Sequence, residues 1–133
     1  MYAVIRIRSI INANREIRDT LKMLNLHRIN SCTIIHPNPS YKGMLQKVKD
    51  YVTWGEIDDE TLRLLLEKRA KVENVDEAIK KLKEGAKLKE ITNPWIRLHP
   101  PRKGYKSIKK PYHMGGSAGY RGKDINELIR RML

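Results

Sequence analysis

The chain has 133 residues, a length typical of one compact domain, and 28 Lys and Arg against 15 Asp and Glu give it a formal net charge of +13. Because so many like charges repel one another in a compact fold, this composition favours a polyanionic partner, nucleic acid before an anionic membrane. The sequence shows no transmembrane run or signal peptide, and its single cysteine excludes an internal disulfide or a cysteine-based zinc site. We therefore expect an intracellular protein without membrane association.

The positive charge is concentrated at the two ends of the chain. Residues 1–55 hold 9 basic and 3 acidic side chains, residues 56–93 hold 9 and 10, and residues 94–133 hold 10 and 2. The middle segment is therefore nearly neutral, and we expect the two ends to contact the polyanion.

The first third of the chain predicts strands that alternate with helices. Residues 2–8 are rich in β-branched side chains and alternate between two faces, which is typical of a strand with a basic outer end. Asn12 or Asn14 is placed to cap a following helix, and residues 31–36 predict a second strand. Pro39 suits the first position of a second helix, where its missing N–H costs nothing.

The middle third predicts one more strand and two further helices. Residues 52–57 indicate the third strand, and Asp58 or Asp59 can cap a helix with a leucine-rich apolar stripe. Residues 75–82 predict another helix, which Gly85 ends. The element order is therefore βαβαβ followed by helices, an α+β fold.

The last third predicts an irregular basic arm. Four of the six prolines lie at or after Pro94, where they interrupt any long helix. Between Arg97 and Lys123 there are eight basic residues and no acidic one, whereas ordinary solubilising surfaces mix both signs of charge. Residues 125–132 predict an amphipathic helix that docks on the core. We expect one compact domain with a core at 1–58, a helical addition at 59–93, and the arm and closing helix at 94–133.

Catalytic interpretations meet specific obstacles. Gly115–Gly119 spells the nucleophile elbow of hydrolases around Ser117, but no histidine follows His113 to serve as the base. The four histidines lack the spacing of a metal site, and Cys32 lies in a predicted strand without an activating motif. A DNA- or messenger-RNA-binding regulator is the alternative function, yet no sequence-reading element is visible.

Several segments together resemble a known family, and they are Arg6–Ser9, Ile17–Leu24, Leu26–Ile29, Lys42–Met44, Val52–Glu56 and Gly119–Met132. The chain resembles the large-subunit ribosomal proteins numbered thirty in the bacterial series and seven in the eukaryotic series, in their archaeal form. The resemblance implies a three-stranded antiparallel sheet with two helices on one face, a relative of the ferredoxin-like fold, with additions after the third strand. It also implies binding to large-subunit ribosomal RNA, contacts with neighbouring ribosomal proteins, a role in subunit assembly and translation, and no enzymatic activity.

The candidate RNA-binding residues share a positive charge, a polar or aromatic group that reaches RNA, or a glycine backbone open to a phosphate. They are Arg6, Arg8, Ser9, Arg15, Arg18, Lys22, Arg28, His36, Tyr41, Lys42, Gly43, Lys47, Arg97, His99, Arg102, Lys103, Gly104, Tyr105, Lys106, Lys109, Lys110, His113, Gly115, Gly116, Arg121 and Lys123. We expect the arm to become ordered on RNA, since it is too polar to bury much apolar surface alone. No cofactor, metal or small-molecule substrate is expected.

Overall fold

A five-stranded sheet with helices on both faces forms the protein in the computed structural model, which describes residues 1–8, 14–36, 39–70, 74–85, 96–101, 112, 116 and 118–133. The strands are β1 (Tyr2–Arg6), β2 (Ser31–Ile35), β3 (Val52–Glu56), β4 (Ile96–Arg97) and β5 (Gly119–Tyr120). The helices are α1 (Arg15–Met23), α2 (Pro39–Lys47), α3 (Asp59–Leu65), α4 (Val75–Lys83) and α5 (Ile125–Met132). A π-helical turn, Leu66–Ala70, follows α3, and a 3₁₀ turn, Gly122–Asp124, precedes α5.

The three central strands form the predicted antiparallel sheet. The strand order is β4-β2-β1-β3-β5, and β1 runs antiparallel to both of its neighbours. In this register Val4 lies opposite Thr33 on one side and Trp54 on the other. The predicted βαβαβ order and the α+β class are therefore confirmed.

The sheet is wider than the predicted three strands. β4 pairs antiparallel with β2, and β5 pairs parallel with β3, so residues from the arm extend the sheet at both edges. The expectation of a wholly irregular arm is thus wrong for 96–97 and 119–120. Two-residue strands are too short to show an alternating pattern in sequence, and only the neighbouring strand fixes them.

Both faces of the sheet are buried under helices. Val4 belongs to the apolar cluster of α1 and α2, which includes Leu21 and Leu45. Ala3 and Ile5 point to the opposite cluster, formed with α3, α4 and α5. The two predicted helices therefore cover one face, and the helical addition and the closing helix cover the other.

Side chains predicted as helix caps do cap helices. The carboxamide of Asn14 accepts from the N–H of Ile17 at 3.0 Å, and the carboxylate of Asp58 accepts from the N–H of Thr61 at 2.7 Å. The bond from Thr61 lowers the pKa of Asp58. Helix α4 ends before Gly85, whose φ of 101° lies in the region that favours glycine.

Asn126 fastens α5 to the end of β3. Its side-chain oxygen accepts from the N–H of Asp58 at 3.0 Å, and its amide nitrogen donates to the carbonyls of Glu56 at 3.1 Å and Lys123 at 2.9 Å. A buried amide with its hydrogen bonds satisfied fixes the geometry of its neighbours. The closing helix consequently docks on the core, as its apolar pattern predicts.

Cys32 provides a test of the buried core by pH. Complete burial in β2 raises the pKa of its thiol from 9.0 to about 12. The buried site favours the neutral, protonated thiol, and this preference stabilises the folded state. The stabilisation is fully present below pH 9 and is lost as the pH rises towards 12. Between pH 7 and about pH 10.5, urea denaturation should show that the wild type loses about 2 kcal/mol more unfolding free energy than Cys32→Ala.

The comparison with Cys32→Ala cancels the titration of lysines and tyrosines, which both proteins share. Each protein is referred to its own stability at pH 7, so the volume removed in the variant does not enter. Equal losses in the two proteins would contradict the buried, protonated thiol.

Candidate nucleic-acid interface

Basic side chains gather where β1 ends and where β2 and β3 begin. Asn30 joins the strand ends there, because its N–H donates to the carbonyl of Arg6 at 2.8 Å and its carbonyl accepts from the N–H of Leu98 at 3.0 Å. Ser31 lies between two cations, since its N–H bonds to the carbonyl of Arg28 and its register partner in β4 is Arg97. We call Arg8, Arg28 and Arg97 the basic rim.

Within the basic rim, Arg8 is held by its neighbours. Its guanidinium carbon lies 5.2 Å from the centroid of the Tyr51 ring, and its carbonyl accepts from Nε of Arg6 at 2.9 Å. A cation over an aromatic face is favoured by the ring quadrupole. Arg8 is therefore oriented before any partner binds.

Arg6 has a different environment from the one expected of a phosphate contact. It is only 4% exposed, and its Nη1 also donates to the carbonyl of Leu26 at 3.2 Å. Burial lowers the pKa of its guanidinium. Arg6 therefore holds the sheet end and loop 24–30 together, and we do not include it among the proposed RNA contacts. The period-two pattern indicated its side of the strand but not the loop that covers it.

Helices α1 and α2 display a second group of exposed cations, which are Arg15, Arg18, Lys22, Lys42 and Lys47. Two of them form exposed ion pairs. Arg15 lies 3.7 Å from Asp19, and Lys47 lies 3.0 Å from Glu16. Exposed pairs contribute only about 0–1 kcal/mol, so a phosphate can compete for these cations.

Among the described residues, a larger share of the cations of the helical addition than of the cations at the chain ends forms ion pairs. Four further ion pairs involve the helical addition, and they are Arg63–Asp76, Lys81–Glu77, Lys83–Asp59 and Arg130–Glu60. By contrast, several cations from the two ends form no ion pair with any residue that the structure describes, and they are Lys22, Arg28, Lys42, Lys49, Arg97 and Lys123. The surplus charge at the ends is thus available to an external polyanion.

Gly43 leaves part of α2 open. A Cβ built there would meet nothing within 4 Å, so packing does not require glycine at this exposed position. Glycine inside a helix is less favourable than alanine by about 0.5–1 kcal/mol. Nearby, Tyr41 on α2 and His36 after β2 are half-buried and interact with other residues. An open backbone at Gly43 suits close approach by a partner.

Only part of the predicted arm is described. Arg97, His99 and Lys123 are exposed, whereas Gly116 is buried. The other candidates lie outside the described residues, and they are Ser9, Arg102, Lys103, Gly104, Tyr105, Lys106, Lys109, Lys110, His113 and Gly115.

The C-terminal part of the arm is fastened to β3. The N–H of Tyr112 donates to the carbonyl of Ala118 at 2.7 Å, and its hydroxyl donates to Asp124, which raises the pKa of Tyr112. The guanidinium of Arg121 lies 4.6 Å from the centroid of the Tyr112 ring, and its Nε donates to the hydroxyl of Thr53 at 2.8 Å. Arg121 is therefore fixed in position by the protein itself.

Sequence reasoning left two accessible residues out of the candidate set. Lys49 is an exposed cation in the turn before β3, and Tyr120 in β5 is 50% exposed. The charge excess pointed to Lys49, whereas nothing in the sequence predicted the strand that places Tyr120 beside Trp54.

Neither a metal site nor a membrane-spanning helix is found among the described residues. Within that part of the chain, no group of three or more His, Cys, Asp or Glu side chains is arranged to hold a metal ion. No described helix has the length and apolar character needed to cross a bilayer. Ser117, the centre of the hydrolase interpretation, lies outside these residues.

Comparison with known proteins gives the family. Residues 2–52 match the family model described as ribosomal protein L30p/L7e. The large ribosomal subunit protein uL30 of Methanosphaera stadtmanae is 43% identical over 100% of both chains, and that of Thermoplasma volcanium is 48% identical over 100% of this chain and 93% of its own. The chain belongs to this family. The L30p/L7e proteins are ribosomal proteins and not enzymes.

The uL30 of Methanoculleus marisnigri is 42% identical over 99% of both chains, so the similarity extends well beyond the matched family segment. The L30p/L7e segment runs from β1 to the start of β3 and contains α1 and α2. The helical addition and the closing helix lie outside this segment but within the stretch shared with the uL30 proteins.

Proposed function

We propose that the protein is a structural constituent of the large ribosomal subunit that binds large-subunit ribosomal RNA and thereby supports subunit assembly and translation. Family membership supports a place in the large subunit, and the end-segment cations that form no ion pair with a described residue, such as Arg28 and Arg97, support RNA as the partner. A ribosomal, cytoplasmic location and contacts with neighbouring large-subunit proteins belong to the same proposal. No cofactor or small-molecule substrate takes part.

The observation that carries the proposal is the group of cations at the chain ends that form no ion pair with a described residue. Arg63, Lys81 and Lys83 of the helical addition form ion pairs with carboxylates of the same chain, whereas Arg28 and Arg97 on the basic rim form no ion pair with a described residue. When such cations bind RNA phosphates, the counterions condensed on the RNA are released, and this release favours association at low salt. Strand pairing and the backbone hydrogen bonds of Asn30 and Ser31 fix the backbone of the rim, so little backbone conformational entropy is lost there on binding.

The arm extends this surface. Its described ends, at Arg97 and Lys123, are exposed and basic. We infer that the basic residues between them enter crevices of the folded RNA, where backbone phosphates crowd together. The tyrosines and histidines among them can stack on unpaired bases.

A double charge reversal on the basic rim tests the proposal. The variant Arg28→Glu with Arg97→Glu should bind large-subunit ribosomal RNA about 10- to 100-fold more weakly than the wild type, because two phosphate contacts become repulsive. Filter binding at fixed salt measures the affinity, and cosedimentation with large subunits from a cell extract measures incorporation.

The matched control is Lys80→Glu with Lys81→Glu, which makes the same change in net charge at exposed positions of α4 in the helical addition. Its affinity should fall far less, since α4 packs mainly on α3 and not on the strands that carry the rim. Equal losses in the two double variants would show that only net charge matters and would overturn the assignment of the interface.

A further inference from the structure

A groove runs between α2 and the edge formed by β3 and β5. It consists of two adjoining depressions of about 410 and 270 Å³, which share Gln46, Trp54 and Tyr120 in their walls. Lys49 lines the larger depression and Lys42 the smaller one, so an exposed lysine stands at each end of the groove. None of these residues other than Lys42 belongs to the candidate set that sequence alone suggested.

Aromatic rings line one wall of the groove. The ring centroid of Tyr120 lies 6.3 Å from that of Trp54 and 6.4 Å from that of Tyr2. Trp54 is only 6% exposed and supports the wall, whereas Tyr120 is 50% exposed and offers a ring to solvent. An exposed ring backed by the buried ring of Trp54 and the half-buried ring of Tyr2 is a platform on which a planar group can stack.

The groove has a lysine at each end and an acidic residue, Asp50, in its larger depression. Lys42 and Lys49 form no ion pair with a described residue, and Asp50 and Gln46 line the larger depression. A carboxylate inside the groove repels a phosphate but accepts hydrogen bonds from the amino or imino groups of a base. Lysines at the ends attract phosphates on either side.

We propose that this groove binds one unpaired nucleotide of RNA, with its base stacked on Tyr120 and the flanking phosphates at Lys42 and Lys49. The inference rests on the proposed function and names the RNA element that this part of the surface takes. Gly43 supports it, because the open backbone of α2 at that residue lies beside Lys42 and one turn before Gln46.

A protein segment is the other conceivable occupant, and the observations favour RNA over it. Two lysines without carboxylate partners among the described residues stand at the ends of a surface whose most exposed group is an aromatic ring. This combination of cations with a stacking platform is the common design of single-stranded nucleic-acid sites.

The test compares Tyr120→Ala with Tyr120→Phe in the full chain. Tyr120→Ala removes the aromatic ring on which a base would stack. It should therefore bind fluorescently labelled hexa-adenylate RNA about 5- to 150-fold more weakly than the wild type. Tyr120→Phe keeps the ring and should bind like the wild type. An abasic oligomer of the same length should bind the wild type and Tyr120→Ala equally. Anisotropy titrations give the affinities, and thermal melting confirms that both variants fold.

A second pair of variants keeps the test independent of Tyr120. Lys42→Gln with Lys49→Gln should weaken hexa-adenylate binding and reduce its dependence on salt, whereas Met23→Ala, at an exposed apolar residue of α1, should change neither.

The outcomes separate this inference from the proposed function. Hexa-adenylate affinity unchanged in Tyr120→Ala, with ribosomal RNA still bound by the wild type, overturns the groove and leaves the proposed function intact. Loss of cosedimentation with unchanged RNA affinity assigns the groove to a protein neighbour and also overturns it. A wild type that binds neither RNA overturns both.

Discussion

Raising the salt concentration from about 50 to about 200 mM should weaken binding of this protein to large-subunit ribosomal RNA by about 10³- to 10⁵-fold. This range applies to a protein that contacts about 6–10 phosphates, and the basic rim, the cations of α1 and α2 and the arm provide that number. Each contact releases condensed counterions, whose entropy of release falls as bulk salt rises. The effect is far larger than that of any single substitution on the surface.

The measurement is the slope of log affinity against log salt for the wild type and for the double variant Arg28→Glu with Arg97→Glu. The slope of the variant should be smaller by about one for each phosphate that the protein no longer neutralises. A nearly flat titration of the wild type would show that binding does not depend on phosphates, and the electrostatic basis of the proposed function would then be wrong.

Gly55→Ala should destabilise the fold by about 3 kcal/mol or more, because the new methyl group has no room. A Cβ at Gly55 would overlap the backbone carbonyl of Gly122 and approach Cβ of Ile125 to 3.0 Å. Gly122 has a φ of 58° and belongs to the 3₁₀ turn before α5, so the obstacle is backbone and cannot rotate away. The closing helix would have to move off β3.

Gly43→Ala is the matched control, with the same methyl group added at an open position. It should stabilise the free protein by about 0.5–1 kcal/mol, since alanine favours a helix over glycine. Urea denaturation of both variants measures the difference. A small loss of stability for Gly55→Ala would mean that α5 does not need its close approach to β3.

Local patterns explain why most elements could be predicted. Strand alternation in β1 and the caps at Asn14 and Asp58 depend on neighbours within a few residues, so the sequence alone carries them. The pairing of β4 with β2 and of β5 with β3 depends on residues far apart in the chain. No local pattern of two residues can indicate such a pairing.

The candidate site divides in the same way. Charge counting located the basic ends, because it needs no three-dimensional information. Arg6 shows the limit of charge counting. Loop 24–30 covers this cation at the end of β1, and its guanidinium donates to the carbonyl of Leu26 inside the protein. The groove at Tyr120 could not be predicted from the sequence, because α2 and β5 come together only in the folded protein.

The edge strands set the reach of the basic arm. β4 and β5 lie at opposite edges of the sheet, four strand spacings apart, which is about 19 Å at about 4.8 Å each. The segment that joins them is therefore tethered at both ends, unlike a free tail. A chain tethered at both ends has fewer conformations than a free tail, so it loses less conformational entropy when it binds RNA. Its cations therefore stay within reach of these two edges of the sheet, at a higher local concentration than cations on a free tail would have.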